Sequence, residues 1–182
     1  MISLRSAVTQ KILSYFFINP DEILFVNELS RKLALDKRNL VKKLKELENE
    51  GVLESQARGN LKFYSINRNY PFYKEYKNIV LKTVGLENRL KKVADEVPGI
   101  EQIYIYGSYA HGKMGNHSDI DLLVVGTHEI IALQKKLNKL QGELGREINA
   151  VNMNKIEFEK RLKDGDSFIS GIFNRKNIKI TK

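Results

Sequence analysis

The stretch Tyr106–Val125, YGSYAHGKMGNHSDIDLLVV, limits what this chain can fold into more than any other. A Gly107-Ser108 pair follows a short apolar run at Ile103 and Ile105. Ten residues further on, Asp119-Ile120-Asp121 leads into Leu122-Leu123-Val124-Val125. The apolar run reads as a buried strand whose first turn carries two carboxylates. Strand side chains alternate, so Asp119 and Asp121 project from one face. Two acids on one face form a hard, all-oxygen site of the kind Mg²⁺ or Mn²⁺ takes. The Gly-Ser turn offers backbone N–H groups and a hydroxyl that can hold a phosphate. Together they describe a metal–nucleotide site, with Gly107, Ser108, His111 and Ser118 as candidates for the nucleotide and Asp119 and Asp121 for the metal.

Gly107-Ser108 spaced from Asp119-Ile120-Asp121-Leu122 resembles the signature of the DNA polymerase beta nucleotidyltransferase superfamily. The likeness is greatest to its minimal domains, whose version reads roughly GSxARG…SDIDLLV. The resemblance implies transfer of a nucleoside monophosphate from a nucleoside triphosphate to a hydroxyl, with release of pyrophosphate. It implies Mg²⁺ on Asp119 and Asp121, and a triphosphate positioned by Gly107 and Ser108. It also implies a third carboxylate on the next core strand, where alignment by strand face places Asn149. An amide is a poor Mg²⁺ ligand beside a carboxylate and cannot act as a general base. Glu147, two residues earlier on the same face, is the nearby substitute, although a solvated strand-end glutamate is the simpler reading. His111 stands where the minimal domains carry Arg, and a histidine is a weaker, pH-dependent phosphate partner. His117 reads as a polar loop residue and His128 as a helix start. Tyr104, Tyr106 and Tyr109 could offer a ring to a base, with at least one of them packed in the core.

A chain of 182 residues without cysteine excludes a disulfide framework and a thiolate metal site, and an intracellular, cytoplasmic home is the expectation. No apolar run approaches membrane-spanning length, so no membrane partner is expected. The net charge of +9 favours polyanions, nucleic acid first.

The first seventy residues read as three helices and a hairpin. Val8, Ile12, Tyr15 and Phe16 recur at helical spacing up to Asn19-Pro20, and a second helix covers Val26 to Leu33. Asp36 caps a third helix over Lys37–Glu50, with Leu40, Val41, Leu44 and Leu47 as its buried stripe and Gly51 as its left-handed end. Two strands, over Val52–Ser55 and Leu61–Ile66, flank a turn at Arg58-Gly59-Asn60. In the third helix Lys37, Arg38, Asn39, Lys42, Lys43 and Lys45 crowd the N-terminal half and Glu46, Glu48 and Glu50 the C-terminal half. The helix dipole prefers the reverse, by a few tenths of a kcal/mol per charge (~0.3–1). A helix entering the major groove of double-stranded DNA would recover that cost, with Arg58 and Lys62 on the hairpin tip as further contacts. This segment is similar to the ArsR- and MarR-type winged-helix regulators.

The apolar stripe of Tyr76, Ile79, Val80, Leu86, Leu90 and Val93 predicts one long helix from Pro71 to Val97, uninterrupted at Gly85. After the acids come a helix with Ile130, Leu133, Leu137, Leu140 and Leu144 on one side, a strand over Glu147–Met153, helices at Phe158-Leu162 and Phe168-Phe173, and an edge strand at Ile178-Ile180. The expected architecture is α+β / α/β in two domains: a winged helix-turn-helix over 1–70, a linker helix over 71–99, and a minimal nucleotidyltransferase domain with a mixed sheet flanked by helices over 100–182. The leading functional reading is a DNA-binding transcriptional regulator, a homodimer, whose second domain binds Mg-nucleoside triphosphate and either transfers the monophosphate or has lost that ability. The alternatives are a non-catalytic nucleotide sensor, and an antitoxin-type partner of a toxin, an association the minimal domains are known for.

Overall fold

A computed structural model describes residues 3–115 and 118–180. It divides into two compact units, Met1–Leu86 with Glu143–Gly145, and Glu87–Gly142 with Arg146–Lys182. The first unit opens with α1 (Ala7–Ile18), capped by Ser6 and ended at Asn19-Pro20. Then follow β1 (Leu24–Phe25), α2 (Val26–Leu33), α3 (Lys37–Asn49), β2 (Leu53–Arg58) and β3 (Leu61–Ile66). The strands form an antiparallel sheet of order β1-β3-β2. Its core is Ile12, Leu13, Phe16, Phe17, Leu29, Leu40, Leu44, Val52 and Ile66, all essentially without solvent exposure. The Asp36 carboxylate accepts the Asn39 N–H at 3.1 Å, a cap worth about 1 kcal/mol. Gly51 closes α3 at φ +77°.

Two expectations in this region need correction, and one element goes beyond them. Val41 is 45% exposed, because the buried stripe of α3 runs Leu40, Leu44, Leu47 and the next residue round the helix turns away from it. The two-residue β1 was not foreseen, being too short to show alternation. The helix from Pro71 to Val97 is two helices, α4 (Tyr73–Thr83) and α5 (Leu86–Glu96), with Ile79 exposed on the first. The Val80 carbonyl accepts both the Val84 and Gly85 N–H groups, a closing turn that ends α4. A Cβ at Gly85 would stand 2.7 Å from the Leu81 Cα, so the break needs glycine.

The second unit is built on β4 (Ile100–Tyr106), the single turn α6 (Gly107–Ala110), β5 (Ile120–Gly126), α7 (Ile130–Leu144), β6 (Ile148–Met153), α8 (Lys155–Lys163), α9 (Ser167–Phe173) and β7 (Ile178–Ile180). The sheet order is β6-β5-β4-β7, with β5 and β6 parallel and the other pairs antiparallel, so it is a mixed sheet flanked by helices. Alternation divides its residues between two faces. Tyr104, Leu123, Val125 and Met153 share one cluster with Phe158 of α8 and Ile169 and Ile172 of α9. Ile103, Ile105, Leu122, Val124 and Ile148 occupy the other face and are buried too. Ile130, expected inside α7, is 59% exposed; the buried row is Leu133, Leu137, Leu140 and Leu144. Among the described residues no helix is long and apolar enough to cross a membrane.

Candidate functional site

The register of the sheet builds one row of side chains across three strands. Asn149 of β6 stands opposite Asp121 of β5, and Asp121 stands opposite Tyr106 of β4. Asp119 precedes β5 and belongs to the same face. The Asn149 Nδ2 donates to Asp119 Oδ2 at 3.3 Å, so the two acids and the amide form one cluster. Burial first, and then the neighbouring Asp119, push the Asp121 carboxyl above the ordinary aspartate range, with Asn149 offsetting part of it. Two carboxylates that repel one another, one of them partly desolvated, fit a hard divalent cation, because one cation relieves both penalties. Among the described residues no group of three His, Cys, Asp or Glu side chains is gathered as a metal site; the acids stand as a pair.

On the Tyr106 flank the packing is close. Gly107 has φ +68°, and a Cβ there would fall 2.3 Å from Asp121 Oδ2. A side chain at 107 is thus excluded by both the backbone and the acid. Ser108 Oγ lies 3.3 Å from Met114 Sδ and 3.4 Å from the Asp119 carbonyl, linking the Gly-Ser turn to the segment that carries the acids. Ser118 Oγ accepts the Gly115 N–H at 2.9 Å, which places it as a loop staple next to Asp119. His111 is exposed at the end of α6. His117 lies outside the described residues.

Glu147 is exposed and just outside β6, where its carbonyl accepts the Ile120 N–H at 2.9 Å; the strand starts one residue later than expected. Tyr104 and Tyr109 are core residues, whereas Tyr106 is half-buried and packs edge-on against Phe168. His128 is buried before α7, with Nε2 2.9 Å from Asn152 Oδ1.

Two features escaped the sequence reading. Arg146 is 7% exposed and donates from Nη1 to the Ser118 carbonyl at 3.2 Å, bracing the residue before Asp119. A lone arginine after Gly145 carries no periodic signal, and only the topology brings it there. The second is a pocket of about 310 Å³ lined by Tyr106, Gly107, His111, Phe168 and Ile172, with Arg175 and Lys176. Its cations come from an Asn-Arg-Lys-Asn turn that nothing in sequence ties to the Gly-Ser motif.

The cationic candidates of the first unit sit on α3 and its hairpin. Lys37, Arg38, Asn39, Lys42, Lys45 and Arg58 are exposed. Lys43 pairs with Glu46, and Lys62 pairs with Glu48 at 2.7 Å. The Arg58 guanidinium lies 5.1 Å from the centre of the Phe63 ring.

Residues 88–170 match the family described as Polymerase beta, Nucleotidyltransferase. The chain is also similar to the protein adenylyltransferase MntA of Shewanella oneidensis, 33% identical over 70 residues, which is 37% of this chain. That match spans 50% of the relative's length. Among solved structures it resembles a mutant MntA–HpeT toxin–antitoxin at 21% identity and a TM-score of 0.39, covering 52% of this chain and 72% of that one. It also resembles a toxin–antitoxin with AMP-PNP at 23% identity and a TM-score of 0.34, covering 48% and 84%.

Proposed function

We propose that the second unit binds a nucleoside triphosphate with a divalent cation and transfers the nucleoside monophosphate to a hydroxyl of a protein partner, as an antitoxin-type transferase acting on a toxin. The observation that carries this reading is the cluster of Asp119, Asp121 and Asn149 beside Gly107, within a stretch that matches the nucleotidyltransferase family. The protein substrate is taken from the name of the adenylyltransferase relative. The acceptor oxygen forms a bond to the α-phosphorus, the bond from that phosphorus to the bridging oxygen of the β-phosphate breaks, and pyrophosphate leaves. Asp119 and Asp121 are the residues that would hold Mg²⁺, which when bound supplies positive charge against the triphosphate oxygens.

Asn149 lies on the side of the acids away from Gly107, where the acceptor approaches. It has no basic atom to take the hydroxyl proton, which therefore passes to water, and turnover is slow. Incubation with labelled adenosine triphosphate, Mg²⁺ and a candidate toxin tests this reading. We expect slow label transfer to the toxin with pyrophosphate release, and a rise of about tenfold or more in Asn149→Asp, within the usual contribution of a positioned base. Glu147→Ala should leave the rate within about twofold, because Glu147 is exposed outside the strand. Nucleotide binding without label transfer in either variant would instead make the site a sensor.

A second reading, carried by a separate observation, concerns the first unit. Its order α1-β1-α2-α3-β2-β3 with sheet order β1-β3-β2 supports the winged-helix reading, and α3 exposes Lys37, Arg38, Lys42 and Lys45 on its N-terminal half. We propose that this face binds duplex DNA, as the two-fold half-site reading of a homodimer would require. Mass by light scattering, with and without DNA, tests the dimer, and a monomer in both states would remove it.

A further inference from the structure

We infer that Arg175 and Lys176 hold the β- and γ-phosphates of the bound nucleotide, and so also the departing pyrophosphate, in the pocket beside Gly107. This rests on the transferase reading of the site and assigns it residues beyond the stretch that matches the family, which ends at 170. The row across the sheet gives the direction. Asn149, Asp121 and Tyr106 follow one another on strands about 4.8 Å apart. The acceptor side is therefore at β6, and the opposite end opens onto the pocket bounded by Gly107, Tyr106, Phe168 and the turn between α9 and β7. A triphosphate whose α-phosphorus lies at the acids must send its remaining charge one way or the other. Toward β6 it meets an amide and the exposed Glu147, while toward β7 it meets two adjacent cations.

Charge balance points the same way. Among the described residues neither Arg175 nor Lys176 is paired with a carboxylate, whereas Lys155 and Arg161 of the same unit are, with Glu101 and Glu157. Two neighbouring cations left without a counter-charge at the mouth of a pocket await an anion. His111, which follows α6 and also lines this pocket, lacks the guanidinium fork that takes two phosphate oxygens at once. The arginine fork can take two phosphate oxygens at once, and the lysine adds a point charge.

Binding measured by calorimetry on the full chain tests the assignment. Wild type in Mg²⁺ should bind adenosine triphosphate at least tenfold more tightly than adenosine monophosphate, and inorganic pyrophosphate should compete. Arg175→Gln with Lys176→Gln should lose tenfold or more in triphosphate affinity, keep monophosphate affinity within twofold, and lose competition by pyrophosphate. Both residues are exposed, so circular dichroism should show the fold intact. Unchanged triphosphate affinity in that variant, with loss in Asp119→Asn plus Asp121→Asn, would overturn this assignment and leave the transferase reading standing. Absence of Mg-triphosphate binding in wild type would overturn both.

Discussion

In the first unit Lys43 and Lys62 are both drawn onto glutamates of α3, the first from the same helix and the second from β3, whereas in the second Asp119 faces Asp121 and Arg175 neighbours Lys176 with no salt bridge to a carboxylate among the described residues. The first arrangement lowers the energy of the free protein. Lys62 shows it: the Glu48 carboxylate accepts from it and from Ser55, and that bonding holds the Glu48 carboxyl below its usual range. The second arrangement leaves like charges adjacent, a state tolerated when a ligand later relieves it. The contrast separates charge paired within the fold from charge left beside its like, a distinction the net value of +9 cannot make.

The strongest way to break the contrast is at its tightest point. Gly107→Ala should force the strained backbone and the Asp121 carboxylate apart, costing about 1–3 kcal/mol of stability. Mg-dependent triphosphate binding should fall about a hundredfold or more, the size expected when a loop that presents phosphate donors is displaced. A thermal melt and a nucleotide titration on the same sample check both. Full binding would show that the turn does not hold the nucleotide.

The contrast sharpens in the first unit by comparing free with paired cations. Arg38→Ala plus Lys42→Ala should weaken duplex binding and reduce the salt slope by about 2, near 0.9 per lost phosphate contact. Lys43→Ala plus Lys62→Ala should reduce it by about half as much or less, since those groups are occupied by Glu46 and Glu48. Equal slopes for both variants in a salt titration would erase the difference between them.

The smallest expected effect lies in the second unit without metal. The Asp121 carboxyl is raised by burial and by Asp119, so its ionisation costs stability above its folded pKa and costs nothing below the unfolded value near 3.9. Asp121→Asn, melted in the presence of chelator at pH 7, should gain about 1–3 °C in Tm. The gain should shrink as pH falls through the folded pKa and vanish below about pH 4. A gain that persists at pH 3 would mean that charge is not its source.

Much of this was legible because the deciding signals are local. Asp36 as a cap, Gly51 as a stop and the Leu40-Leu44-Leu47 stripe each specify α3 within a few residues. The acids and the Gly-Ser turn were legible for the same reason, and strand alternation was enough to bring Asn149 beside Asp119. What escaped depends on registry between distant segments. Arg146 reaches Ser118 only after the loop before β5 and the start of β6 are fixed, and Arg175 lines the same pocket as Gly107 only because β7 pairs with β4. The broken helix at Gly85 failed for another cause: the apolar spacing continues through it, and the crowding at Leu81 exists only in three dimensions.

The contact between Gly107 and Asp121 also governs how a chain of this kind can diverge. A side chain added at position 107 would collide with the Asp121 carboxylate, so position 107 can change only if that acid moves. Asn149, exposed and held by one 3.3 Å hydrogen bond, is under no such restraint. Exchange of its amide for a carboxylate leaves the shape of the residue unchanged. On the proposed reading, a single step on β6 would change turnover while leaving the Gly107 turn and Asp121 as they are.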